Sequence, residues 1–289
     1  MATQDKNGRI RGKINNIVYR GLGDKQVLQI APARVRQTYA TKLNALEFGL
    51  ASAQAKVLRD VFKGMYEEAD GKMAARLTAA VAACIRTSEK DIGERDLHEA
   101  DLTPLKGFEF NTQAPFEKLI AVRPSFRVLL NGRFEFNLPS FNVMTDIHYP
   151  AGHTRYHPSF LIALTAFHFR EEYCRIIDKK VFDFENINQK AEIDWSSSRR
   201  LPEGAIVFVT FSLRYLSTNW AGRKIQVMDK AFYPTIILEA FHVTGEMAAL
   251  GKEARFANPT GYKAEFGNNT NSILKDIERF KEKMAKKAK

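Results

Sequence analysis

The sequence predicts an α+β protein in four parts: a basic β-hairpin arm over 1–37, a helical module with an acidic linker over 38–104, a β-rich body over 105–245, and a loop with a basic C-terminal helix over 246–289. Three observations carry this. Apolar residues recur at three- and four-residue intervals from Leu43 to Phe62, the period changes to two after Leu105, and positive charge gathers at the two ends.

The arm is read as a strand over Lys13–Arg20, a turn at Gly21-Leu22-Gly23-Asp24, and a returning strand over Lys25–Ile30 that Pro32 ends. Two glycines beside an acidic residue allow positive φ without a Cβ clash, and proline cannot extend a ladder. Residues 1–37 hold eight Lys and Arg against two Asp, a net +6, and residues 272–289 hold seven against three acidic residues, a net +4, of a chain total of +11. The electrostatic field therefore comes from the ends and steers toward an acidic surface or a polyanion.

Thr38, or Thr41 one turn later, caps a helix whose Leu43, Leu46, Leu50, Val57, Leu58, Val61 and Phe62 share a face. Gly71 breaks the chain before a second, alanine-rich helix over Lys72–Thr87, which buries little and needs a neighbour for stability. The two are expected to pair antiparallel. The acidic stretch 88–104 reads as the linker, with a short helix around Leu97.

Beyond Leu105, Asn131-Gly132 between Arg127–Leu130 and Arg133–Phe136 is the strongest hairpin signal of the chain. Further strands are expected at Asn142–His148, Thr154–Phe169 (two pieces, or one bent at Pro158), Tyr173–Ile177, Ala191–Trp195, Ala205–Tyr215, Ile225–Ala231 and Thr235–Val243. Such spacing, with phenylalanines collecting after Phe108 and the alternation Phe208, Thr210, Ser212, Arg214, points to an antiparallel sandwich of immunoglobulin-like type. Ser272 then caps a helix with Ile273, Leu274, Ile277, Phe280 and Met284 on one face and lysines on the other; that stripe needs cover from the body or from another copy.

The run Gly12–Arg20, then Asp24-Lys25-Gln26-Val27, Pro32 and Phe48-Gly49-Leu50-Ala51-Ser52, resembles the start of a group of uncharacterised proteins from Bacteroidota-type bacteria. In them a basic hairpin and an alanine- and serine-rich helix precede an immunoglobulin-like half. The likeness covers the first fifth of the chain in detail and the layout thereafter. Gly23-Asp24 at the turn and Gln29 on the return strand depart from the pattern. It implies the architecture and no mechanism.

Chemistry is sparse. Cys84 and Cys174 have neither disulfide-framework nor metal spacing and read as reduced thiols of a cytosolic protein. Met1–Lys6 lacks the apolar core of a signal peptide, and apolar runs such as Ala205–Phe211 fall short of a membrane span, so a cytoplasmic protein is expected. His148, His153 and His157 with Tyr149 invite a metal reading. Pro150, Gly152 and Pro158 oppose the helix that four-residue spacing needs, and in a strand it separates side chains by about 13 Å. Asp183, Glu185, Glu192 and Asp194 read as solvated strand faces, and Ser196–Arg200 as a hydrophilic loop that could also take a phosphate. No nucleophile elbow, phosphate loop or dinucleotide fingerprint is present, so neither an enzyme nor a cofactor nor a small-molecule substrate is expected.

The arm remains. Its Arg9, Arg11, Lys13, Arg20, Lys25, Arg34 and Arg36 could line phosphates, with Tyr19 and Tyr39 available for stacking; its strands could pair with a neighbouring sheet edge; or it could fold onto the chain's own body. A two-stranded ribbon is marginal alone. The leading expectation is thus a structural protein that self-assembles through the arm and the helices, with Arg9, Arg11, Lys13, Tyr19, Arg20, Lys25, Arg34, Arg36, Ile277 and Phe280 as contacts. Nucleic-acid binding by the basic ends is the alternative, and a phage- or injection-particle component shares the assembly logic.

Overall fold

The computed structural model describes residues 2–31, 37–66, 69–129, 132–150, 156–185, 188–226, 229–248 and 260–288. It is an α+β structure with antiparallel sheets, and the chain divides into two compact units, Met1–Lys42 and Leu43–Lys289.

The first unit is a four-stranded antiparallel sheet in sequential order: β1 (Thr3–Gln4), β2 (Ile10–Ile14), β3 (Ile17–Leu22) and β4 (Lys25–Ile30). The strand expected over Lys13–Arg20 is two strands, because the chain reverses at Asn15-Asn16. Asn15 takes φ 48° there, a left-handed conformation that asparagine tolerates better than most residues. The next reversal uses Gly23-Asp24, with Gly23 at φ 57° and Leu22 opposite Lys25. Thr38 caps α1 (Tyr39–Phe62), its hydroxyl accepting from the Thr41 N–H at 3.2 Å.

In the second unit α1 is followed by α2 (Met73–Arg86), β5 (Phe108–Glu109) and the single turn α3 (Phe116–Leu119). Then come β6 (Ser125–Val128), β7 (Phe134–Asn142), β8 (Tyr156–His168), β9 (Tyr173–Asp183), β10 (Lys190–Ser196), β11 (Ile206–Thr218), β12 (Lys224–Gln226) and β13 (Thr235–His242). The short α4 (Gly245–Ala248), β14 (Thr260–Gly261), α5 (Tyr262–Phe266) and the long α6 (Thr270–Ala288) complete it. A large sheet runs β14-β9-β8-β11-β13-β5, with β12 on β11, and a small one runs β10-β7-β6.

Two hydrophobic cores lie on opposite faces of the large sheet. Alternate residues of β8 divide between them. Leu161, Ala163 and Phe167 join α1 and α2, while Phe160, Ile162, Leu164 and Ala166 join Phe134, Phe136 and Leu138 of the small sheet. Strands buried on both faces are near-continuous apolar runs, which is how β8 and β11 read. Phe62 fixes α1 to the sheet, meeting Phe110, Phe167 and Phe208 edge-on at 5.6–5.8 Å between ring centres. Thr210 and Ser212, whose alternation with Phe208 signalled a sheet, are buried, and Ser212 and Thr235 hydrogen-bond each other at 2.9 Å.

Several elements differ from expectation. The stretch 88–104 forms turns rather than a helix around Leu97, and its Leu97, Ala100 and Leu102 belong to the same core as the helices and the sheet. Of the strand expected over Asn142–His148, Asn142 ends β7 and the rest is a turn that touches Ile120 through a bridge at Ile147. Tyr156–His168 is one strand. Its Pro158 lies where pairing with β9 stops, so the missing N–H costs no ladder bond there. β9 continues to Asp183, well past Ile177. The β6–β7 connection closes with Leu129 donating to Arg133 and Gly132 to Leu129, Gly132 standing at φ 73°; Asn131 lies outside the described residues. α6 begins two residues before Ser272, because Asn269 accepts from the Ser272 N–H at 2.9 Å and so serves as the cap.

Candidate assembly interface

Pairing in an antiparallel sheet places opposed residues on the same face, so the register of the first unit sorts its side chains. Ile14 faces Ile17, Ile17 faces Ile30 and Tyr19 faces Leu28: these five residues form one face. Lys13 faces Val18 and Val18 faces Gln29, Arg20 faces Val27 and Leu22 faces Lys25: these form the other. One side of the sheet thus carries an apolar patch, with Gln26 and Gly21 beyond it at the far end, and the other carries cations among valines and a leucine.

None of the residues 2–31 is buried. On the apolar face Leu28 is 59% and Ile30 73% exposed, with Ile14 and Ile17 also open. Soluble surfaces tolerate scattered apolar side chains, but a contiguous set on one sheet face marks a contact surface.

The arginines at the far end are held within the unit. Arg9 approaches Asp24 at 3.9 Å and donates to the Gly23 carbonyl at 3.4 Å. Arg11 lies 3.8 Å from Asp5, and its guanidinium lies across Gly21, where a Cβ would meet it at 3.6 Å. Backbone N–H groups of Arg9 and Asn7 donate to Asp5 and, with the two guanidinium charges, hold its carboxyl below the usual range. Among the described residues Lys13, Arg20 and Lys25 have no carboxylate partner. Arg34 and Arg36 lie outside the described residues.

The C-terminal candidates sit elsewhere. Ile277 is 1% exposed, taken up by its own chain beside Leu43 and Gly93, so it is not open to a partner. Phe280 is half-buried. Lys281 donates to Glu94 at 2.7 Å, and Glu172 accepts from the Asn271 N–H at 2.9 Å at the start of the helix.

Other sequence candidates show ordinary structural uses. Imidazole Nδ1 of His157 lies 3.0 Å from the Glu185 carbonyl, His148 stacks on Phe232, and His153 lies outside the described residues. Among the described residues no three His, Cys, Asp or Glu side chains gather as a metal set. Glu185 pairs with Lys224 at 2.9 Å, whereas Glu192 and Asp194 stand exposed on β10 in the other sheet. Ser197 is buried, its hydroxyl donating to the Arg199 carbonyl and accepting from the Phe134 N–H. Burial pushes the Cys84 thiol up to about 12 and the Cys174 thiol to about 11, which leaves both unreactive.

Two features had no counterpart in the sequence reading. One is the apolar face itself, whose signal was the alternation Ile17, Tyr19 and Leu28, Ile30. The other is a polar cluster in which Arg170 bridges Asp96 (2.6 and 3.1 Å) and Glu99 (2.6 Å), beside His98. Imidazole Nε2 of His98 accepts from the Phe169 N–H at 3.0 Å, and burial, with the ring of His168 tilted against it at 4.7 Å, lowers its pKa to about 4. No local pattern announces such a cluster, because its two halves, 96–99 and 168–170, are about 70 positions apart.

Fold and site together define an antiparallel α+β protein whose first unit is a sheet with an apolar patch on one face and cations on the other. No family model, curated protein or solved structure matches the chain. Among the described residues no helix is long and apolar enough to cross a membrane.

Proposed function

We propose that this is a non-enzymatic structural protein that assembles with itself through its N-terminal sheet and acts inside the cell. The observation that carries the reading is the lack of any buried residue over 2–31 in a sheet with an apolar face. Sheets of three or more strands owe their stability to a covered hydrophobic face, and a single uncovered layer has no such core. A partner that covers this face supplies the missing burial. The second unit, which we read as a sandwich of immunoglobulin-like type, is then the displayed body. The resemblance to Bacteroidota-type proteins with a basic hairpin before such a half supports the same layout, and a phage- or injection-particle component is one setting for it.

Sedimentation velocity on the full chain tests the proposal. A concentration-dependent rise in mass up to high micromolar protein is expected, and deletion of residues 1–37 abolishes it. A strictly monomeric particle throughout that range overturns it.

A second reading, nucleic-acid binding, is favoured by the exposed Lys13, Arg20 and Lys25 on one face. Charge of this kind gives affinity that falls steeply with salt. Gel-shift titrations of DNA and RNA across a salt series separate the two: absence of retardation at low salt removes this reading and leaves the first.

A further inference from the structure

Self-assembly through the sheet could use either its edge or its face, and the register decides between them. A second copy adding to the outer edge of β4 (Lys25–Ile30) would satisfy backbone groups but would extend the same single layer. Ile14, Ile17, Leu28 and Ile30 would stay in water. Stacking two sheets face to face instead buries these side chains at the usual spacing of about 10 Å.

We infer that the apolar face of β2–β4 packs against the same face of a second copy about a two-fold axis, forming a two-layer sandwich whose outer surfaces carry Lys13, Arg20 and Lys25. This rests on the assembly reading above and names its surface, geometry and partner. Three observations identify the partner as another copy. The patch of Ile14, Ile17, Tyr19, Leu28 and Ile30 contains no charged residue, so it is self-complementary across a two-fold axis. Cations of the opposite face point away from the contact, which keeps two strongly basic arms from repelling one another at close range. Arg11, whose guanidinium lies over Gly21 on the same side at the far end of the patch, is accompanied by Asp5 at 3.8 Å, which offsets its charge.

The area is adequate. Ile14 (44%), Ile17 (40%), Leu28 and Ile30 together expose on the order of 400 Å² of apolar surface, the size at which a contiguous patch marks an interaction site. Doubled across the axis and widened by Tyr19 and Gln26, the contact reaches the roughly 1,000 Å² that a specific interface requires. A sandwich of this kind doubles the basic surface on its outside, so any polyanion contact would be made by the dimer's outer faces.

Charge-pair variants at Leu28 provide the test, in the full chain. Leu28→Glu and Leu28→Lys are each expected to weaken self-association at least 100-fold by sedimentation velocity, while an equimolar mixture of the two regains a dimer. Val27→Glu, one residue along on the basic face, is expected to leave association within about threefold of the parent. Rescue in the mixture shows that both single variants are folded. If the Leu28 variants associate like the parent, or if Val27→Glu abolishes association as completely as they do, face-to-face packing is overturned. Loss on Val27→Glu then points to the β4 edge with the assembly reading intact, whereas a monomeric parent overturns that reading itself. A mixture that stays monomeric, with circular dichroism showing both variants folded, also overturns the inference.

Discussion

Substituting Gly93 by alanine is expected to release the C-terminal helix α6 from its own chain. Gly93 is buried at φ 86°, and a Cβ there would lie 2.9 Å from Ile277 Cγ2, 3.1 Å from Leu43 Cδ2 and 3.2 Å from Lys281 Cε. A left-handed conformation costs an L-residue about 1–2 kcal/mol, and forcing a methyl into a filled site costs about 1–3 kcal/mol more. The total of roughly 2–5 kcal/mol is comparable to what Ile277 and the partly exposed Lys281–Glu94 pair contribute to docking the helix beyond its first turn, which Thr270 and Asn271 anchor to Phe169 and Glu172. Undocking of α6 is therefore the cheaper response, with the sheet cores intact. Hydrogen exchange over 273–288 should rise strongly in Gly93→Ala, and trypsin should cut at the helix lysines. Core strands β8 and β11 should keep their protection. If α6 stays protected and the melting midpoint moves by less than about 1 °C, the close packing around Gly93 is refuted. The same variant shows whether a freed Ile277 stripe adds a new association, which docking now prevents.

Three further outcomes are expected. His98 is neutral in the folded protein, with its pKa lowered from 6.5 to about 4, so its contribution is complete above pH 6.5 and is lost as pH falls through about 4; denaturant titrations should show His98→Gln flattening this decline by up to about 3 kcal/mol. Arg170→Met leaves Asp96, 6% exposed, without its bidentate partner and should cost about 2–3 kcal/mol in urea unfolding, less than a fully buried pair because Arg170 is half in water; an unchanged midpoint would show the pair to be idle. Trp220 is 99% exposed at the β11–β12 turn, where Asn219 Oδ1 accepts from the N–H groups of Ala221 and Arg223. Trp220→Ala should shift stability by under about 0.5 kcal/mol while removing the readily quenched component of the fluorescence, leaving that of Trp195; a larger loss of stability would contradict the exposed placement.

How much was legible in the sequence follows from how local each signal is. The caps and periods of α1 and α2 act within a few residues, and the helices lie where the pattern put them, within a residue or two. The reversal at Gly23-Asp24 was visible from its glycines, whereas that at Asn15-Asn16 was not, because asparagine enters the left-handed region without advertising it. After Asn142, which ends β7, the stretch to His148 has strand-forming residues but no neighbour to complete a ladder, and becomes a turn. Acidity made 88–104 resemble a linker, yet Leu97 and Leu102 are core residues; surface charge and buried apolar residues alternate there with no regular period.

What the sequence alone determined was the α+β class, the basic front, the two-residue period of the body and the amphipathic stripe of the last helix. All of these are properties of neighbouring residues and of hydrophobic spacing. Tertiary structure decided what could not be computed locally: that β8 and β11 are covered on both faces, that Ile277 is claimed by Gly93 and Leu43, and that His98 and Asp96 meet Phe169 and Arg170. It also decided, through strand register, that Lys13, Arg20 and Lys25 part from Ile14, Ile17 and Ile30 to opposite sides of the first unit's sheet. Register is a relation between strands, and a shift of one residue would have mixed the two faces.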